Sequence, residues 1–191
     1  MSGDAAAFIE LVKRHDRGLR TLAYRLLRDR TAMDDVMQDA YLKAFRGFSG
    51  FRGEAQERTW LHRIVYNACV DRLRSDRRRR EESLDVLTET GTLARGGAGT
   101  RYGAGVGDGF VATTTDDPGE SVARRSDLAT ALASLPPDQR AAVLLVDAAG
   151  FTYEEAAEVL GVRPGTIASR LHHARSELRM TLAERSDHEA F

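Results

Sequence analysis

Between Gly91 and Glu120 the chain reads GTLARGGAGTRYGAGVGDGFVATTTDDPGE, a run rich in Gly, Thr and Asp and nearly free of apolar periodicity. Such a run cannot bury enough apolar surface to offset its ordering entropy, so whatever folds must fold on either side of it. Residues 82–124 are therefore read as a flexible acidic linker between two domains, residues 1–81 and residues 125–186. A flexible chain of that length has an end-to-end distance of roughly 35 Å and stretches to about 140 Å. The two domains can then reach separated sites.

Each flank has helical spacing. Residues 5–29 carry Phe8, Leu11, Val12, Leu19, Leu22, Leu26 and Leu27 at helical intervals, with Gly18 as a tolerated weak point. A second helix is expected over 32–47, capped by Thr31, and a third over about 54–76 with Trp60, Leu61, Ile64, Val65, Ala68 and Leu73. Trp60 is read as core in preference to a base-stacking platform. No alternating apolar pattern is long enough for a strand. The predicted class is all-α, two small helical domains joined by the linker.

Phe151 to Leu178, FTYEEAAEVLGVRPGTIASRLHHARSEL, reads as two helices joined by a tight turn. Thr152 caps the first, and Glu155 three residues on completes a capping box. Gly161 suits the left-handed backbone that ends helices, and Pro164 suits the first turn of the next. In that second helix Ile167, Leu171, Ala174 and Leu178 form one buried stripe. Thr166, Ser169, Arg170 and His173 occupy the opposite one. A helix of this size fits the major groove, where hydroxyls, guanidinium and imidazole reach base edges and phosphates. An ordinary helical hairpin with a solvated outer face has the same spacing.

A length of 191 residues with 42% hydrophobic content is enough for one or two packed cores. No long apolar run and no charged, apolar leader is present, so the chain is expected to be cytoplasmic with no membrane insertion. The single Cys69 excludes an internal disulfide. Formal charge is −1, which looks wrong for a nucleic-acid binder until the charges are located. From Arg58 to Arg80 eight arginines face Asp71 and Asp76, and from Arg163 to Arg185 five face Glu177 and Glu184. Residues 81–120 carry eight acids against Arg95 and Arg101. Phosphate contact follows the local field, so two basic segments flanking an acidic one remain compatible with DNA.

On the second helix Asp35, Gln38, Asp39 and Leu42 sit at i, i+3, i+4 and i+7, an acidic strip with an apolar tip suited to a basic helical partner. Met33, Met37, Ala40 and Ala44 line the inward side. Taken in order, DDVMQDAYLKAF (Asp34 to Phe45), FRGEAQERTWLHRIVYNACVDRLR (Phe51 to Arg74), the linker, LPPDQRAAVLLVDAAG (Leu135 to Gly150) and the helix-turn-helix resemble an extracytoplasmic-function (ECF) sigma factor of bacterial RNA polymerase, in the sigma-70 family.

The resemblance implies a sigma region 2 bundle before the linker and sigma region 4 after it. It places Asp35, Gln38, Asp39 and Leu42 on the clamp helices of the polymerase's largest subunit, and implies a contact with the flap of the second largest. It assigns −10 melting and readout to the loop Phe51 to Glu57 and the following helix, with Phe51 and Arg52 as −10 DNA-binding candidates and Asn67 in the readout of an unstacked base. Arg63, Arg72, Arg74 and Arg77 become candidates for backbone phosphate. Thr166, Ser169, Arg170, His172, His173 and Arg175 become the −35 set. Ala168 and His173 stand where many members have arginine or lysine, which implies an altered −35 preference. An anti-sigma factor is implied as a further partner.

Catalysis is not expected. His15, His62, His172, His173, His188 and Cys69 lack zinc-ligand spacing, and adjacent His172 and His173 are read as pointing to different helix faces. No phosphate-binding glycine loop is present, so neither metal nor cofactor is assigned. Asp147, Glu154, Glu155 and Glu158 are read as helix surface and caps. The short run after Leu178 leads to the expectation that no folded C-terminal sensor domain follows. The resemblance thus implies an alternative sigma factor that directs promoter-specific initiation by reading −35 and −10 elements and opening the DNA. A duplex-binding helix-turn-helix regulator and a sigma-like decoy for an anti-sigma factor are the alternatives.

Overall fold

The structure, a computed structural model, describes residues 2–51, 56–89 and 118–189, with side chains within 4–51, 56–82 and 126–183. Among the described residues all regular structure is helical: α1 (Ser2–Leu27), α2 (Arg30–Phe48), α3 (Glu57–Glu89), α4 (Pro118–Ser134), α5 (Pro137–Val143), α6 (Tyr153–Leu160) and α7 (Pro164–Glu189). A π-helical segment, Leu144–Ala148, continues α5. Two compact units result, Met1–Glu54 with Ile64–Ala104, and Ala55–Arg63 with Gly105–Phe191.

In the first unit α1 and α2 pack through an apolar seam. Leu11, Leu19, Leu22 and Leu26 of α1 and Met33, Val36, Met37 and Ala40 of α2 are all buried. Val65, Ala68 and Cys69 of α3 are buried as well. Removing a side chain as closed off as Leu19 leaves a cavity costing about 2–5 kcal/mol. Phe8 meets Phe45 and Phe48 edge-on, with ring centroids 5.3 and 5.4 Å away. The Tyr41 hydroxyl donates to Asp16 at 2.5 Å, and Arg20 joins Asp16 to Asp34 at 3.0 and 2.8 Å. Burial, then the Asp16 carboxylate, push the Tyr41 phenol well above its ordinary pKa.

The cap of α2 is Asp29 and not Thr31. Arg28 adopts φ +57, and its N–H bonds Tyr24 O at 2.7 Å, closing α1. Asp29 is then extended, and its carboxylate accepts from Ala32 N at 2.9 Å, while Thr31 already lies inside the helix. The third helix also outruns its expected end at 76, continuing to Glu89, and α4 begins at Pro118. Helical structure therefore enters both ends of the segment 82–124. The arginine run is helix-compatible, and Arg77 pairs with Glu81 one turn on at 2.8 Å. The centre of that segment lies outside the described residues.

The second unit is built on buried Ala131, Leu135, Leu145, Val159, Ile167 and Leu171. Arg140 is buried and donates to Ala133 O and Leu135 O at 2.7 and 2.8 Å, closing the C-terminal end of α4, where a cation is favoured. The π segment ends in bonds from Ala149 N to Leu144 O and from Phe151 N to Leu145 O, both 3.0 Å, around Gly150 at φ +69. The unit also takes in residues 55–63, which the sequence reading assigned to the first domain. Arg58 donates to Ala149 O and lies 3.9 Å over the Phe151 ring, and His62 meets the same ring at 4.8 Å.

Candidate nucleic-acid and partner interfaces

The α2 strip emerges where its spacing placed it. Asp35, Gln38 and Asp39 are exposed, Leu42 is 49% exposed, and Met33, Met37, Ala40 and Ala44 are buried on the opposite side. Its carboxylates differ in surroundings. Asp34 is held by Arg20, Asp35 lies 3.6 Å from Arg72 of α3, and Asp39 forms no ion pair among the described residues.

On α3 Arg63, Asn67, Asp71, Arg74 and Arg78 are exposed, as are Arg77 and residues 79–82 toward its end. The first five recur along the helix. Their intervals of four, four, three and four residues keep them on one face at 3.6 residues per turn. Asn67 lies between Arg63 and Asp71 in this stripe, and its amide can both donate and accept. Sequence reading missed Asp71 and Arg78, although the helical spacing from Asn67 points to both. Asp71, Arg74, Arg77, Arg78 and Glu81 line one shallow depression.

The other α3 candidates stand apart. Arg72 is turned to α2 and to Asp76, whose two oxygens each lie 3.1 Å from its Nε. Arg77 pairs with Glu81. Phe51 is half-buried, its N–H bonded to Phe48 O at 3.0 Å, and Arg52 lies outside the described residues. Trp60 is half-buried, so its ring is not fully enclosed.

The helix-turn-helix has the expected local chemistry. Glu155 N donates to Thr152 Oγ1 at 3.2 Å while Thr152 N donates to Glu155 Oε2 at 2.8 Å, the reciprocal capping box. Gly161 ends α6 at φ +65, where a side chain would be strained, and Val162 N bonds Ala157 O at 3.0 Å. Ile167, Leu171 and Ala174 are buried, and Leu178 half-buried.

On the outer side of α7 Ser169, His172 and His173 are exposed and Thr166 half-exposed, with Ser169 Oγ donating to Thr166 O at 3.0 Å. The His172 and His173 rings meet edge-on at 5.6 Å and so share one surface, contrary to the expectation of separate faces. The arginines are occupied. Arg170 is only 21% exposed and pairs with Asp138 at 3.1 Å. Arg175 grips both oxygens of Asp147, at 2.6 and 3.1 Å, and these hydrogen bonds raise its pKa above the ordinary arginine value. Among the described residues of α7 and its entry turn, exposed Arg163 and Arg179 are the arginines without such a partner.

Among the described residues no helix is long and apolar enough to cross a membrane. Residues 11–79 match sigma-70 region 2, and residues 125–178 match sigma-70, region 4. The ECF RNA polymerase sigma factor SigM of Mycobacterium tuberculosis strain H37Rv is 36% identical over 178 residues, spanning 93% of this chain and 78% of SigM. The ECF RNA polymerase sigma-E factor of Escherichia coli K12 is 30% identical over 176 residues, spanning 92% and 86%. A solved structure of the sigma factor RpoE in complex with the anti-sigma factor NepR from Bartonella quintana shares the fold at a TM-score of 0.63 and 24% identity, covering 96% of this chain and 98% of that one. The chain belongs to the extracytoplasmic-function sigma factors of the sigma-70 family, alternative sigma factors that direct promoter-specific transcription initiation.

Proposed function

We propose that this sigma factor acts in the cytoplasm, docking its α2 strip of Asp35, Gln38, Asp39 and Leu42 on the clamp helices of the largest polymerase subunit. The α3 stripe then engages the −10 element. Asn67 holds an unstacked non-template base, while Arg63, Arg74 and Arg78 contact backbone phosphate. Local unstacking costs a few kcal/mol and is offset by contacts to the exposed base. Phe51 and Arg52 belong to the same −10 element in this reading.

In region 4, Thr166, Ser169, His172 and His173 read the −35 element, and region 4 also contacts the flap of the second largest subunit. Arg170 and Arg175 support α7 from within their own unit and do not read bases. The chain contributes no catalytic step, and chemistry stays with the polymerase. An anti-sigma factor that covers the α2 strip completes the reading, and the structural relative RpoE is in complex with the anti-sigma factor NepR.

The observation that carries this reading is exposed Asn67 one turn from Arg63, on an α3 face that continues through Asp71 to Arg74 and Arg78. Permanganate footprinting of the reconstituted holoenzyme on a promoter tests it. Asn67→Ala is expected to lose reactivity of the −10 thymines while core binding persists. Unchanged reactivity would remove Asn67 from the readout.

A further inference from the structure

Arg72 is five residues beyond Asn67, which places it about 140° around α3 from the exposed stripe at 100° per residue. That rotation carries it away from the proposed DNA face and toward α2. There its Nη1 lies 3.6 Å from Asp35 Oδ2, while its Nε contacts both oxygens of Asp76 at 3.1 Å. The Asp35 side chain is 60% exposed, against 34% each for Arg72 and Asp76. A cation arriving from solvent therefore meets an accessible carboxylate that an internal cation already partly neutralises.

We infer that Arg72 sets the affinity of the sigma factor for core polymerase by competing with the polymerase's basic residues for Asp35. This rests on the docking face proposed above. Docking exchanges the cation on Asp35, and the displaced guanidinium stays on Asp76, so the exchange leaves no charge stranded. Asp39 has no such competitor among the described residues. Asp34, tied to Arg20 at 2.8 Å, contributes less. The three neighbouring carboxylates thus present graded attraction, and Arg72 sets the middle step. An exposed pair exchanged in this way moves an equilibrium by a few-fold and no more.

The test is a titration of labelled full-length chain with core polymerase at fixed salt. Arg72→Gln should tighten Kd about two- to four-fold, because the competitor is gone. A role confined to holding α3 on α2 predicts the opposite sign, since a loosened helix docks less well. Arg72→Lys should restore the wild-type Kd. In an Asp35→Asn background Arg72→Gln should change nothing, because the shared carboxylate is no longer charged.

Weaker or unchanged binding by Arg72→Gln overturns the inference, as does tightening that persists in the Asp35→Asn background. Asp39→Arg separates this failure from failure of the docking face. If Asp39→Arg abolishes docking while Arg72→Gln has no effect, only the competition is wrong. If Asp39→Arg docks normally, the face itself is wrong and the competition falls with it.

Discussion

Arg175 of α7 grips Asp147 of the π segment through two hydrogen bonds, Nη2 to Oδ1 at 2.6 Å and Nε to Oδ2 at 3.1 Å. A two-point contact fixes the guanidinium plane as well as its distance, so the pair sets how α7 sits against the turn that precedes α6.

Replacing Arg175 by Gln is expected to destabilise the C-terminal unit modestly, by about 0.5–1 kcal/mol, because the side chains are 44% and 34% exposed and solvent screens the pair. Asp147→Asn should cost a similar amount. The double variant should cost less than the sum of the two. Thermal unfolding of the four proteins followed by circular dichroism measures that coupling. Strict additivity would mean that the contact contributes nothing.

His173 is exposed on the outer side of α7, beside arginines that are already paired. His173→Arg therefore adds a free cation to a face short of them. Affinity for a −35 duplex should rise, and the slope of log K against log salt should steepen by about 0.9, the value for one further phosphate neutralised. Fluorescence anisotropy at several salt concentrations measures both. An unchanged slope would place position 173 off the DNA.

Cys69 is fully buried on α3, and that burial pushes its thiol up to about 12. The reactive thiolate is therefore scarce in the folded chain. Labelling by a thiol reagent at pH 8 should be negligible in the native protein and rapid in denaturant. Because the folded pKa is raised, the linked stability is fully present below the unfolded value of 9.0 and is lost as pH rises toward 12. Fast labelling under native conditions would contradict this packing.

Local rules account for what was legible before folding. The Thr152 and Glu155 box and the Gly161 stop need only residues within one helical turn, and all three behave as their spacing requires. The α2 strip was legible for a similar reason, since a 3.6-residue period separates Asp35, Asp39 and Leu42 from Met33 and Met37. The cap of α2 was missed because Asp29 and Thr31 are both capping residues. The left-handed turn at Arg28 decides between them, and arginine carries no signal for that conformation.

Charge pairing was the larger blind spot. Arginines near the DNA faces are visible in sequence, but the partners that occupy them are not. Asp147 is 28 residues from Arg175, and only the packing of the π segment against α7 brings them together. Arg72 and Arg170 were expected at DNA from their charge, and their pairing with Asp35 and Asp138 was hidden for the same reason. The π segment has no sequence signature of its own, since it depends on where the chain must turn at Gly150.

The central claim is that this chain selects promoters for core polymerase. The most direct measurement adds purified protein to sigma-free bacterial core polymerase on fragmented genomic DNA and sequences the RNA 5′ ends. Discrete new ends that share two upstream elements, and that vanish with Asp39→Arg, are the predicted result. Absence of new ends with active polymerase and folded protein would contradict it.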